Sequence, residues 1–340
     1  MLFRFFVIRP IIVLTSNGRE SKHEANEDGR AERGITHRYR TAGFPPFPST
    51  YALFPLPDKL YLSACHSSLV TRHFLMPGGC VSLRVCVLGS GSKGNSTLVA
   101  TENTRLLVDA GLNRRETYAR LAARGERTDA FDAILISHEH VDHVNGLRLL
   151  GIDWKAPIYI TRLTHEVISW DPKLCAFELF TPGEKFIVGD IEVTPFSIPH
   201  DATDPVAFTL ESQGIKIGVV TDLGYVHEVV KQRVKGCQCL IFESNHDLDM
   251  LKVGPYPWHV KQRVMSRHGH LSNLATAGFL TEDFDGAAQI LVLAHLSETN
   301  NHPEIARLTA EQALAESARG ERTALHVASQ IAPTQVFQFG

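Results

Sequence analysis

The sequence predicts a layered α/β domain built on mixed sheets, and three observations carry that prediction. From Leu83 onward, short apolar runs come first at hairpin spacing and later alternate with helical patterns, the order that packs helices onto sheets. Several of the later runs end in a histidine or an aspartate. Before Leu83 come a mixed charge run from Arg19 to Arg40 and the stretch AGFPPFPSTYALFPLP, which lacks both the helical and the strand period. The folded domain is therefore expected over 83–340, with 1–82 as a poorly ordered extension read from a mis-assigned start.

The elements follow in order. RVCVLG (84–89) reads as a strand, then a glycine-rich turn, then TLVAT and RLLVDAG as two more strands. Asn113 to Gly125 reads as a helix, with Asn113 as its N-cap and Gly125 as its stop. Further strands are expected at 132–137, 157–161, 186–198 (two runs), 206–212, 215–221, 239–244 and 289–294. Helical patterns fall near 144–150, 162–170, 225–235, 255–268, 271–283 and 303–319. In the extension, LFRFFVIRPIIVL is broken by Arg4, Arg9 and Pro10, is too short to span a bilayer, and precedes no A-x-A cleavage site.

Composition narrows the class. Hydrophobic residues make up 44% and charged residues 21% of 340 residues, near globular averages, which argues against a disordered or fibrous chain. The net charge is −3, but residues 1–80 carry 10 Lys/Arg against 6 Asp/Glu, so the remainder carries −7. An overall basic footprint for nucleic acid is absent, and metals or a local patch must hold any phosphates. Six cysteines (65, 80, 86, 175, 237, 239) are too few and scattered for a disulfide scaffold. Cys237 and Cys239 stand one residue apart, unlike structural zinc spacing, and the pattern points to reduced thiols in a cytoplasmic setting.

Gly89-Ser-Gly91-Ser-Lys-Gly94 matches G-x-G-x-x-G after a strand, yet NSTLVAT follows where a dinucleotide fold needs a helix. The loop is expected to be a turn between strands, with Ser92, Lys93 and Asn95 near a site. The chemical signal is His138-Glu-His140-Val-Asp142-His143, directly after a strand. In extended backbone His138 and His140 point the same way, and Asp142 and His143 fall at the turn into the next helix. Chance places four such residues in this pattern about 0.002 times in a chain of this length.

Other strands end in His200, Asp222, Asn245-His246 and His295. The runs 191–198, 206–212 and 215–221 are spaced for a meander, which brings His200 and Asp222 to one edge. That edge is where α/β enzymes place their chemistry.

HEHVDH, DAG at 109–111, IPHDA and TDLG resemble the metallo-β-lactamase-fold hydrolases. LGSGSKGNSTLV, FESNHD, GHLSN and LAHLSETNN are similar, more narrowly, to the YycJ/WalJ branch, kin of ribonuclease Z. The resemblance covers about 83–340. It implies a four-layer αββα sandwich and two divalent ions, zinc foremost with manganese as the other choice. By position, it implies that His138, His140 and His200 hold one ion, Asp142, His143 and His295 the other, and Asp222 both. Asp109 is expected to orient a ligand. His270 of GHLSN is expected to give a proton to the leaving group or to contact the scissile phosphate, with His268 as its nearby rival. Glu243, Asn245 and His246 are expected on the same rim, where Asn245 and His246 alternatively cap the following helix. The stretch Lys261, Arg263, Arg267 reads as a nucleic-acid track or, more simply, a solvated helix face.

Lengths sort the hydrolases. Only 72 residues separate Asp222 from His295, too few for an inserted β-CASP domain, and the 56 between His143 and His200 leave little room for a tRNA-clamping arm. The resemblance implies a metal-dependent nuclease of 5′→3′ exonuclease type that uses a metal-bridging hydroxide on a phosphodiester, with nucleic acid as partner and no membrane. The alternatives are a glyoxalase II-like ester or thioester hydrolase, which the −7 charge favours, and a metal-stabilised binding module without turnover.

Overall fold

The computed structural model describes residues 83–174, 176–317 and 319–340. The expectations for residues 1–82, with Cys65 and Cys80, and for Cys175 lie outside the described residues.

The first half supplies β1 (Leu83–Gly89), β2 (Ser96–Ala100), β3 (Arg105–Val108), α1 (Arg114–Ala122), β4 (Ala133–Leu135), α2 (Val141–Val144), α3 (Leu147–Trp154), β5 (Ile158–Thr161), α4 (Arg162–Val167) and β6 (Phe177–Phe180). The second supplies β7 (Phe186–Val188), β8 (Ile191–Ser197), β9 (Val206–Ser212), β10 (Ile215–Val220), α5 (Glu228–Val234), β11 (Cys239–Glu243), α6 (Leu248–Val253), α7 (Trp258–Val264), α8 (Asn273–Glu282), β12 (Ile290–Ala294), α9 (Pro303–Glu316), β13 (Ala324–Val327) and β14 (Phe337–Phe339).

Among the described residues these strands form two sheets, ordered β14-β1-β2-β3-β4-β5-β6 and β13-β12-β11-β10-β9-β8-β7. Each is mixed. Pairing is antiparallel from β14 to β3 and parallel from β3 to β6, and likewise antiparallel from β7 to β10 and parallel from β10 to β13.

Strand alternation builds the layers. In β1, Val85 and Val87 face the second sheet, while Cys86 and Leu88 face α1 and α3. In β12, Val292 and Ala294 join the inter-sheet core, while Leu291 and Leu293 pack under α8 and α9. Apolar residues on both faces of a strand require cover on both faces. The result is the αββα sandwich, with α1 and α3 outside one sheet and α5, α8 and α9 outside the other.

Local signals place several boundaries. The Asn113 side chain accepts from the Glu116 N–H at the start of α1. Gly91 and Gly94, at φ 130° and 145°, make the β1–β2 turn, so the G-x-G-x-x-G stretch serves a hairpin. The pattern near 144–150 resolves into two helices, and that over 255–268 shortens to α7, stopped before the Ser266–Gly269 turn. Strands β6, β13 and β14 carried no clear sequence signal: β6 and β14 are short, and β13 is only partly buried. The helix after Asn245-His246 is capped by Asp247, whose carboxylate accepts from the Asp249 and Met250 N–H groups. Asn245 and His246 are therefore not its caps, because they still belong to the buried strand exit.

Cys86, Cys237 and Cys239 are buried free thiols, and burial pushes Cys86 up to about 11 and Cys237 up to about 12. They stay protonated and unreactive at neutral pH. No helix among the described residues is long and apolar enough to cross a membrane.

Candidate metal centre and its cleft

The site is assembled from strand exits. Asp109 follows β3, Ser137 and His138 follow β4, His200 follows β8, Asp222 follows β10, Glu243 ends β11, and His295 follows β12. Asp142 and His143 lie within the single turn of α2, slightly further into helix than the spacing predicts. Asp109, Asp222 and His295 all adopt left-handed backbone, at φ 59°, 60° and 56°. This conformation costs a side-chain-bearing residue of order 1 kcal/mol or more and concentrates where a site demands it. Here it turns the side chain back over the sheet edge instead of letting the strand continue.

Gly111 lets α2 approach. A Cβ there would sit 1.6 Å from the Asp142 carbonyl oxygen and 2.6 Å from the Asn95 nitrogen. The Asn95 N–H donates to that same carbonyl at 2.7 Å, and its Nδ2 lies 3.1 Å from Asp142 Oδ2. The hairpin loop thus locks the turn carrying Asp142 and His143.

Hydrogen bonds set the ring orientations. Asp109 accepts from the Ser137 N–H and hydroxyl, and from His143 Nδ1 at 2.8 Å, which leaves His143 Nε2 facing Asp222 Oδ2 at 3.2 Å. His200 donates through Nδ1 to the Gly269 carbonyl, so its Nε2 turns toward His140 Nδ1 at 3.3 Å. His138 Nε2 meets the same His140 nitrogen at 3.1 Å. Glu243 Oε1 accepts from Nδ1 of both His270 (2.8 Å) and His295 (2.9 Å), while Oε2 accepts from the Leu223 and Leu271 N–H groups. One buried carboxylate therefore orients two histidines. His295 Nε2 then stands 3.5 Å from both Asp142 Oδ2 and Asp222 Oδ1.

Charge follows this geometry. Burial, reinforced by His143, holds His138 well below the ordinary imidazole range, and burial likewise lowers His200. Burial opposes charge on His143, but the Asp222 and Asp109 carboxylates outweigh it and raise that ring. At His295 burial again loses, to Asp222, Asp142 and Glu243, and the ring rises to about 10. Burial would raise Asp222, yet His295 and His143 hold it well below the usual range. Glu243 is buried too, and facing His270 and His295 brings it to about 2.

The donor set suits divalent ions. Side chains of His138, His140 and His200 form one group with ligand atoms within 4.8 Å of one another; Asp142, His143 and His295 form another. Asp222 touches both sides, since Oδ1 faces His200 and His295 and Oδ2 faces His143. Its Oδ2 is buried and without a hydrogen bond. An unsatisfied buried carboxylate oxygen amid converging imidazole nitrogens is a costly arrangement that a cation relieves.

The cleft above these groups is lined by Ser92, His140, Asp142, His200, Asp222, His268, His270 and His295, together with Asp201, Val260, Arg263 and Val264. His268 is exposed there, whereas His270 is held by Glu243. Glu243, Asn245 and His246 are buried beneath the cleft and do not form its rim. Asn245 braces His295 by donating to its carbonyl at 2.7 Å; the His246 side chain is sealed in, and burial lowers it to about 4. The basic stretch is not a continuous track: Lys261 is buried with Nζ on the Lys252 carbonyl, Arg267 stacks over Tyr225 at 4.1 Å, and only Arg263 lines the cleft. Sequence reading missed Ser137, Ser90, whose hydroxyl accepts from the His295 N–H, and Asp201. Ser137 sits just before HEHVDH, but nothing local to the other two marks them.

Two facing mixed sheets with outer helices, and a histidine–aspartate cleft at the strand exits, define a hydrolase of the metallo-β-lactamase fold. The model of the Beta-lactamase superfamily domain matches residues 104–296. Exodeoxyribonuclease YycJ of Bacillus anthracis is 35% identical over 265 residues, covering 75% of this chain and 99% of that protein. Exodeoxyribonuclease WalJ of Streptococcus pneumoniae is 32% identical over 245 residues, covering 71% and 91%. The metallo-β-lactamase fold protein YhfI from Bacillus subtilis superposes with a TM-score of 0.58 at 18% identity, covering 76% and 100%, a likeness of fold. The chain belongs to the β-lactamase superfamily and, within it, to the YycJ/WalJ type.

Proposed function

We propose that the protein is a dinuclear metal-dependent phosphodiesterase that digests nucleic acid as a 5′→3′ exonuclease. The observation that carries the two-ion reading is Asp222, whose carboxylate reaches both histidine groups, with Oδ1 toward His200 of one and His295 of the other and Oδ2 toward His143. His138, His140 and His200 would hold one ion, Asp142, His143 and His295 the second, and Asp222 would serve both. Zinc suits the imidazole-rich set, and manganese suits its carboxylates. When bound, such ions supply a hydroxide from water whose pKa falls toward about 7 and neutralise phosphate charge. The relatives named exodeoxyribonucleases support nucleic acid as the substrate.

The chain's own groups do the rest. Asp109 and Glu243 hold the tautomers of His143 and His295, so that Nε2 of each is aimed inward. His270 lines the cleft with Nδ1 committed to Glu243, which leaves Nε2 to hand a proton to the departing oxygen. Asp142, half-buried at the cleft wall, is positioned to hold the attacking water as well as its ion.

The test is metal content together with a substrate screen: end-labelled DNA and RNA, with either end marked, beside S-lactoylglutathione. Two ions per chain and release of 5′-labelled nucleotides first is the expected result. Turnover of the thioester alone would reject the nuclease assignment, and two ions with no turnover would favour a binding module.

A further inference from the structure

The cleft holds a phosphate problem that its catalytic groups leave open. Its wall carries Asp142, Asp201 and Asp222, and Arg263 is the one lysine or arginine among the lining residues. At about 220 Å³ the cavity is smaller than the roughly 300–1,000 Å³ of pockets that enclose a whole small molecule. Most of an oligonucleotide must therefore lie outside, with its neighbouring phosphates along the rim. Arg263 stands at that rim in the last turn of α7, and Val260 and Val264 on the same helix face also line the cleft.

The guanidinium is already engaged, with Nε 2.5 Å from Asp201 Oδ2. That pair is solvated, with side chains 63% and 53% exposed, so it is weak and readily exchanged. A phosphodiester offers the same fork of two oxygens with the same single negative charge, so it can take the place of the Asp201 carboxylate. Asp201 directly follows His200, so it parks the guanidinium beside the candidate ion site.

Resting on the nuclease reading above, we propose that Arg263 is the anion anchor of the cleft. It exchanges Asp201 for the phosphate next to the scissile one and so makes the site prefer oligonucleotides over lone phosphodiesters.

The test uses the full-length, metal-loaded protein and a fluorescein-labelled single-stranded DNA with phosphorothioate linkages, whose binding is followed by anisotropy across a salt series. Arg263→Gln is expected to weaken binding about tenfold and to flatten the log–log salt slope by about 0.7–1. Arg263→Lys should restore the slope, and Asp201→Asn should tighten binding, a gain that a purely structural role for the pair does not produce. In turnover, Arg263→Gln should lose kcat/KM on oligonucleotides far more than on thymidine 5′-(p-nitrophenyl phosphate), which carries a single phosphate. An unchanged salt slope, or equal losses on both substrates, would overturn the assignment of Arg263. If the unaltered protein cleaves neither substrate, the nuclease reading fails, while the salt slope still judges Arg263.

Discussion

His270 and His295 share one carboxylate oxygen of Glu243, so the proposed proton donor and a candidate ligand are aligned by the same buried group. This arrangement separates their roles experimentally. His270→Ala is expected to keep its metal and lose about 10²–10⁴-fold in kcat, as removal of a positioned acid does. Metal analysis beside single-turnover rates checks it; full activity with full metal would remove the proton donor. Glu243→Gln should instead lower metal affinity and rate together, each by about 10–100-fold, because it loosens His295 as well. The left-handed backbone at Asp109, Asp222 and His295 could not be read locally, since strand sequences before them look ordinary. It became visible only with the chain exits side by side.

Among the elements, the first sheet shows how a charged group in the α1–β4 connection is held by arginines of two strands. Glu126 accepts from Arg84 of β1 at 3.1 Å and from Arg105 of β3 at 2.8 Å. Burial would raise its carboxyl, but the two arginines prevail and lower it. Its folded pKa therefore lies below its unfolded value of about 4.3. The stabilisation is present above that unfolded value and is lost as pH falls through the folded one. Glu126→Gln should cost about 1 kcal/mol at pH 7. Urea unfolding should find the gap between variant and parent shrinking as pH falls below about 4; a gap that stays constant as the pH is lowered would contradict the assignment. Sequence periodicity found most elements that bury apolar residues on a regular spacing, such as β1, α1 and β8–β10. It passed over β13 and β14, whose pairing with β12 and β1 comes from partners far along the chain.

Across the molecule, the two candidate ion groups draw residues from both sheets, with His138, His140, Asp142 and His143 from one side and His200, Asp222 and His295 from the other. Metal binding should therefore stabilise the whole sandwich. Chelation is expected to lower Tm, and re-addition of Zn²⁺ should raise it in a concentration-dependent way, by RT ln(1 + [L]/Kd). An unchanged Tm on chelation would mean that no ion is bound. Phe208 of β9 is fully buried between the sheets, and Phe208→Ala should cost about 3–5 kcal/mol by calorimetry or urea. The folded fraction should still bind its normal metal complement, because the side chain lies in the core away from the cleft.

HEHVDH and the residues ending successive strands were legible without coordinates. Their signal is local: a period-two strand followed at once by ligand-type side chains. The layered architecture followed for the same reason, since alternation records which faces are covered. Three-dimensional packing alone settled that Glu243 lies beneath two histidines, that Asn245 and His246 are sealed under the floor, and that Lys261 is spent on a carbonyl while Arg263 reaches the cleft. Those outcomes depend on burial and on hydrogen bonds between segments 9 to 52 residues apart, as from Lys261 to Lys252 and from Glu243 to His270 and His295. No spacing rule within a single element encodes such contacts.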